Sequence, residues 1–359
     1  MRSVMWEYIN ESHHRLLELL ESKSVIDVVT TLPLKSIKNL VFIASGSSNN
    51  ICKAAKNFVE ENTQMNVSIY FPFEFENDQR LIQRLTVESS LVIGISQTGT
   101  SSSVLNCLTK AKSQGYKVLT LTERADTPIR YVGDYYLNFG CGLEACNAKT
   151  KGYSASLLLL HLIAIEIGKQ TDKISLSTYL DIRNELKEII SKIPDVVEQT
   201  KHWVNQNTYW SKANSLLVIG HSSNYGTAIE GALKVSETLC IPALCSDVDE
   251  YAHGYHRILF NDSYIIAIEG KGYGSENLHK TFEYVRTITP NRLLISSSDR
   301  DKSLNDVIWV SETEHVSSAL LSVIVFQTLA VALPELIGND PNVERHEDYL
   351  SSLKTRVEG

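Results

Sequence analysis

None of the six cysteines forms a C-x-x-C pair, and none has the cysteine-with-histidine spacing of a zinc site. That points away from a structural zinc module and from dithiol redox chemistry. Cys52, Cys107, Cys141, Cys146, Cys240 and Cys245 fall in apolar or mixed contexts and are expected to be reduced, mostly buried thiols. There is no GxGxxG and no GK[ST], so neither a dinucleotide fingerprint nor a P-loop is the natural reading. Lys and Arg (34) are outnumbered by Asp and Glu (42), the net charge of -8 is spread along the chain, and no basic cluster marks a nucleic-acid face. The start, Met1-Arg2-Ser3-Val4-Met5-Trp6-Glu7, leads into an amphipathic helix carrying acidic residues, unlike a signal or transit peptide, so a cytoplasmic location is expected. The one run that mimics a membrane span, residues 319–338, is interrupted by Gln327, Pro334 and Glu335, so a buried helix and no membrane association are expected.

What the chain does have is a concentration of hydroxyls at one point. The apolar run Leu91-Val92-Ile93-Gly94-Ile95 is followed by Ser96-Gln97-Thr98-Gly99-Thr100-Ser101-Ser102-Ser103. Six hydroxyls, an amide and a glycine thus enter what reads as the turn from a buried strand into a helix. Backbone N–H groups, short hydroxyls and the positive end of a helix dipole converge in such a turn, which suits a phosphate dianion. A phosphorylated small metabolite is the expected ligand.

At 359 residues, 43% apolar and 21% charged, the chain is long enough for two ordinary globular domains. Strand-like runs alternate with helical periods, the pattern of parallel sheets covered by helices. Strands are expected at 40–44, 67–70, 91–95, 117–121 and 135–138, then again at 215–220, 264–268, 292–296 and 307–310, with helices at 50–62, 101–113 and 225–240. Gly46-Ser47-Ser48-Asn49 and Gly220-His221-Ser222-Ser223-Asn224 open the two halves with the same phrase, which reads as an internal duplication. The expected layout is α/β, two tandem open parallel-sheet domains of flavodoxin-like design with flanking helices. An N-terminal helical segment occupies 1–35, the first domain 36–170, a helical connector 171–212, the second domain 213–338 and a tail 339–359. Ligands of such sheets bind beyond the carboxyl ends of the strands. The matching loop of the second half, Glu269-Gly270-Lys271-Gly272-Tyr273-Gly274, has lost the Ser/Thr run. One phosphate site per chain, in the first domain, is therefore expected.

The helix opening the second half carries Glu230, Lys234 and Glu237 at i, i+4 and i+7, on one face. On spacing alone this is also what a solvated, salt-bridged stripe looks like. Its start at the carboxyl end of a strand favours chemistry.

Ser96-Gln97-Thr98-Gly99 with Ser101, and Ala228-Ile229-Glu230-Gly231-Ala232-Leu233-Lys234 with Glu237, resemble the two signatures of the sugar isomerase (SIS) domains. The chain looks like a double-SIS sugar-phosphate isomerase, similar from about residue 38 to its C-terminus to the isomerase half of glucosamine-6-phosphate synthase. The resemblance implies that Ser47, Ser48, Ser96, Gln97, Thr98 and Ser101 bind the sugar phosphate. A family segment E-x-x-x-A-x-T-K matches Glu144 to Lys151 and brings Ala148 and Lys149 to the substrate. Glu237 is implied as the proton shuttle between C1 and C2, with Lys234 and Glu230 beside it. The segment Asp249-Glu250-Tyr251-Ala252-His253-Gly254-Tyr255 resembles G-E-x-x-H-G-P, whose histidine serves ring opening across a dimer interface, implying that role for His253 in a homodimer with a composite active site. Tyr255 replaces the proline. Lys354 matches the tail lysine that forms a Schiff base in the family, although Arg345-His346-Glu347-Asp348 stands where the family has proline-arginine-asparagine.

Chemically, an enediol or enolamine route needs a base that moves one proton between neighbouring carbons, and a cation near the developing oxyanion. The expected activity is isomerisation or deamination of a hexose or amino-hexose 6-phosphate, with no metal and no cofactor. No counterpart of the glutaminase domain is found, so a complete glutamine amidotransferase is not expected. A fructosamine-6-phosphate deglycase and a non-catalytic phosphosugar-binding protein are the alternatives.

Overall fold

The computed structural model describes residues 3–77 and 85–357. In the first half, β1 (Asn39–Ile43), β2 (Asn66–Tyr70), β3 (Ser90–Ile95), β4 (Lys117–Thr122) and β5 (Tyr135–Asn138) form a parallel sheet in the order β2-β1-β3-β4-β5. In the second, β6 (Leu216–Gly220), β7 (Ala243–Asp247), β8 (Ile265–Glu269), β9 (Arg292–Ser296) and β10 (Val307–Trp309) repeat it as β10-β9-β8-β6-β7, again parallel throughout. Central strands such as β3 and β8 are buried along their whole length, because helices cover both faces. That is why they read as unbroken apolar runs rather than alternating ones. The nine expected strands are present within a residue or two. The tenth, β7, was not anticipated: Ala243-Leu244-Cys245-Ser246-Asp247 is a mixed, half-exposed edge strand with neither pattern.

The chain forms two compact units. One, built on β1–β5, comprises Arg15–Glu144, Ala155–Arg183 and Glu344–Gly359; the other, built on β6–β10, comprises Met1–His14, Ala145–Ser154 and Asn184–Val343. The units are discontinuous in sequence, so parts of the N-terminal segment, the connector and the tail are divided between them.

The duplication extends to backbone torsions. Helices Ser47–Thr63 and Ser223–Leu239 follow β1 and β6, each 17 residues long. Gly46 caps the first at φ 56°, ψ -138°, and Ser222 caps the second at φ 53°, ψ -132°. Gly46 therefore corresponds to Ser222 and not to Gly220, which is the last residue of β6; the sequence phrase pairs the wrong glycines. A serine at positive φ is strained by its Cβ, and the second half keeps the turn despite that cost. Both helices also end on a left-handed residue, Gln64 and Cys240.

Two helices, Lys151–Gln170 and Ala319–Leu336, are long and apolar enough to cross a membrane, and their most apolar windows are 100% and 83% buried within the protein. Gln327 does not interrupt the second helix; its amide donates to the Thr150 carbonyl at 3.0 Å and the Ser154 hydroxyl at 3.1 Å, which makes it tolerable in the core. Helix Ser223–Leu239 packs against Ala319–Leu336 at Gly231, where a Cβ would lie 2.5 Å from the Phe326 ring. Gly231→Ala gains helix propensity of about 1 kcal/mol and loses more to overpacking. A net destabilisation of about 1–2 kcal/mol is expected, read as a lower urea midpoint; an unchanged midpoint would contradict the packing.

Candidate functional site

In a sheet of order 2-1-3-4-5 the crevice for ligands opens where β1 and β3 lie side by side, because their crossovers leave in opposite directions. Ser47 and Ser48 start the helix after β1; Ser96, Gln97, Thr98 and Ser101 fill the loop after β3. All six expected phosphate ligands thus sit at the carboxyl ends of adjacent strands in one unit. The loop is held by its own contacts: Gly99 N–H returns to the Ser96 carbonyl at 3.0 Å, and Thr122 Oγ1 donates to the Gln97 carbonyl at 3.1 Å. The Thr98 and Thr100 hydroxyls are 3.0 Å apart. Gln97 Nε2 donates to Glu144 at 3.0 Å, which fixes the amide with its oxygen turned away from a carboxylate that is itself buried. Ser101 caps the helix Ser102–Ser113, so that helix's positive end faces the loop.

The corresponding crevice of the second sheet, between β6 and β8, is taken by the chain's own groups. The Glu312 carboxylate accepts the Lys271 N–H at 2.9 and 3.2 Å, in the place where a loop N–H would meet an anion. His221 is 2% exposed and spans the Gly270 N–H, 3.3 Å from Nε2, and the Tyr273 carbonyl, 2.9 Å from Nδ1. Burial lowers its pKa, and a ring that accepts at Nε2 and donates at Nδ1 is neutral. Sequence reasoning overlooked Glu312 and His221; the loss of the Ser/Thr run was the only signal available.

Glu230, Lys234 and Glu237 form a chain of contacts on helix Ser223–Leu239. The Lys234 ammonium is 3.4 Å from Glu230 Oε1 and 2.5 Å from Glu237 Oε2, with side-chain exposures of 0% for Glu230, 1% for Lys234 and 35% for Glu237. This is a buried ion triad with one carboxylate at the surface, not a solvated stripe. Burial by itself would lower the lysine pKa, but the two carboxylates outweigh it and hold the ammonium above its ordinary range. The Lys234 ammonium lies beneath Glu237, and of the three side chains only Glu237 reaches the surface. Glu237 lies 14 residues beyond Ser223, about 21 Å along the helix from the strand end at 1.5 Å per residue.

His253 ends the helix Val248–Ala252, its N–H bonded to the Glu250 carbonyl at 3.0 Å, and its ring is exposed. No hydrogen bond or ion pair joins that ring to the triad among the described residues. Ala148 is fully buried, and Lys149 Nζ donates to the Cys146 carbonyl at 2.6 Å; both belong to the unit of the second sheet. Lys354 is exposed, adopts φ 48°, and belongs to the first unit, where its carbonyl accepts the Ser102 hydroxyl at 2.9 Å.

One set with metal-ligand geometry occurs among the described residues: Glu269, His279 and Asp301, whose ligand atoms lie within 4.8 Å of one another. Arg300 already pairs with Glu269, and Ser296 Oγ lies 3.2 Å from Glu269 and 2.9 Å from Asp301. Burial first, and the neighbouring Asp301 carboxylate next, raise the Glu269 pKa against the opposing pull of Arg300.

The profile of the SIS domain family matches residues 34–166. The chain is 28% identical over 86% of its length to the glutamine–fructose-6-phosphate aminotransferase (isomerizing) of Thermococcus kodakarensis, covering 51% of that protein. It spans about half the length of the curated relatives it matches. Among solved structures, it is similar to one from Clostridium difficile 630 named as a candidate phosphosugar isomerase, with a TM-score of 0.89, 24% identity and full coverage of both chains. It is also similar to the C-terminal domain of glucosamine-fructose-6-phosphate aminotransferase from Francisella tularensis, with a TM-score of 0.84 and 21% identity over 95% of this chain and 98% of that one. These likenesses establish the fold, two tandem parallel five-stranded sheets flanked by helices.

Proposed function

From the premise that residues 34–166 are a SIS domain, we propose that this protein binds a hexose or amino-hexose 6-phosphate and isomerises or deaminates it through an enediol or enolamine. The observation that carries the reading is Glu237, about a third exposed and held 2.5 Å from a buried ammonium. A carboxylate so oriented can take a proton from one carbon and return it to the next. Lys234 is then a positioning residue, fixing the direction of the Glu237 lone pairs. The hydroxyl loop after β3 and the helix start after β1 anchor the phosphate, and Ala148 and Lys149 belong to the same binding role. His253 serves ring opening as acid and base, donated across a homodimer.

A fructosamine-6-phosphate deglycase is the second reading, favoured by one feature: Tyr255, 41% exposed, stands where the resembling motif has proline. The discriminating experiment incubates the protein with fructose 6-phosphate plus ammonia, with glucosamine 6-phosphate and with a fructosamine 6-phosphate, while sedimentation follows the active species. Consumption of either of the first two by a dimer is expected. Consumption of the third alone selects the deglycase, and binding without any turnover sinks both enzymatic readings.

A further inference from the structure

We propose that Arg356 is the cation of the phosphate cradle, carried there by the C-terminal tail; this rests on the phosphosugar reading above. The tail runs antiparallel to the loop after β3. Val357 N–H donates to the Thr100 carbonyl at 2.9 Å, Ser102 N–H donates to the Thr355 carbonyl at 3.1 Å, and Ser101 is bridged to Arg356. In this arrangement the two bonds flank the 101–356 pair without being made by it. That defines a non-hydrogen-bonded antiparallel pair, whose side chains leave on the same face with Cβ atoms about 5 Å apart. Arg356 therefore emerges beside the hydroxyl of Ser101, the residue that caps helix Ser102–Ser113.

The cradle supplies no cation of its own. Its two segments, residues 45–48 and 96–103, contain hydroxyls, an amide and glycines but no lysine or arginine. Hydroxyls and backbone N–H groups solvate a phosphate, but a dianion is held more tightly where a planar guanidinium can take two of its oxygens. Arg356 is exposed and no ion pair or side-chain hydrogen bond engages it among the described residues. Lys354 is the less suited of the two tail cations: its backbone is in the left-handed region and its carbonyl is committed to Ser102, so the pairing that aims a side chain at Ser101 begins beyond it.

The test measures binding of glucosamine 6-phosphate and of inorganic phosphate by calorimetry, at low and high salt, to wild type and to Arg356→Ala, Arg356→Lys and Ser96→Ala. Arg356→Ala is expected to weaken both ligands by about 10- to 100-fold and to flatten the salt dependence, with Arg356→Lys in between. Because Arg356 is exposed, its variants should melt as wild type does, which keeps a binding loss interpretable. If Ser96→Ala weakens binding and Arg356→Ala does not, the role of Arg356 is overturned and the cradle stands. If wild type binds neither ligand, the cradle reading fails and the role of Arg356 with it.

Discussion

Replacing Glu237 by glutamine is expected to lower kcat by about 10²- to 10⁴-fold on whichever sugar phosphate the protein turns over, the range attributable to a positioned general base. The amide keeps the shape and can still accept from Lys234, so the binding constant for substrate should change only a few-fold. Stability should change little, because Glu237 is about a third exposed and the ammonium retains Glu230 at 3.4 Å. Exchange of the substrate C1 or C2 hydrogen with deuterium from solvent is the sharper readout, since it reports the proton shuttle without requiring net turnover. Exchange at the wild-type rate in the glutamine variant would remove Glu237 from the mechanism, whatever happened to kcat.

Most of the fold was legible because parallel strands buried on both faces read as near-continuous apolar runs, and β1, β3, β6, β8 and β9 are built around such runs. The edge strand β7 lacks that constraint and left no pattern. The hydroxyl-rich loop was legible for a related reason: six hydroxyls immediately after a buried apolar strand mark the point where the strand ends and the next helix begins. Three features were not. Glu312 reaches Lys271 from 41 residues away, so no local pattern encodes the closing of the second crevice. The i, i+4, i+7 spacing of Glu230, Lys234 and Glu237 is the same in a solvated stripe and in a buried triad; only the neighbours that cover the helix decide between them, and here they exclude water from the first two. The pairing of the tail with the loop after β3 joins residues about 250 apart in sequence, where spacing carries no information.

The burial of that triad makes Lys234 the residue whose loss should cost the most stability. Lys234→Met removes the ammonium and leaves the Glu230 carboxylate, with a fully buried side chain, in a low-dielectric site without its counter-charge. Breaking a buried pair from one side costs about 3–5 kcal/mol, far more than the pair contributes against a matched apolar replacement. The double variant Glu230→Gln/Lys234→Met should therefore recover much of the loss, a coupling that urea denaturation of the four members of the cycle would measure. The effect also has a defined pH dependence. The folded pKa of Lys234 is raised above the unfolded value of about 10.4, so its stabilisation is complete below that unfolded value and is lost as pH rises from it through the folded value. Wild type and Lys234→Met should accordingly differ most at pH 7 and converge in strongly alkaline solution. A single variant as stable as wild type at pH 7, or a double variant no better than the single one, would mean that Glu230 and Lys234 do not act as a coupled buried charge pair.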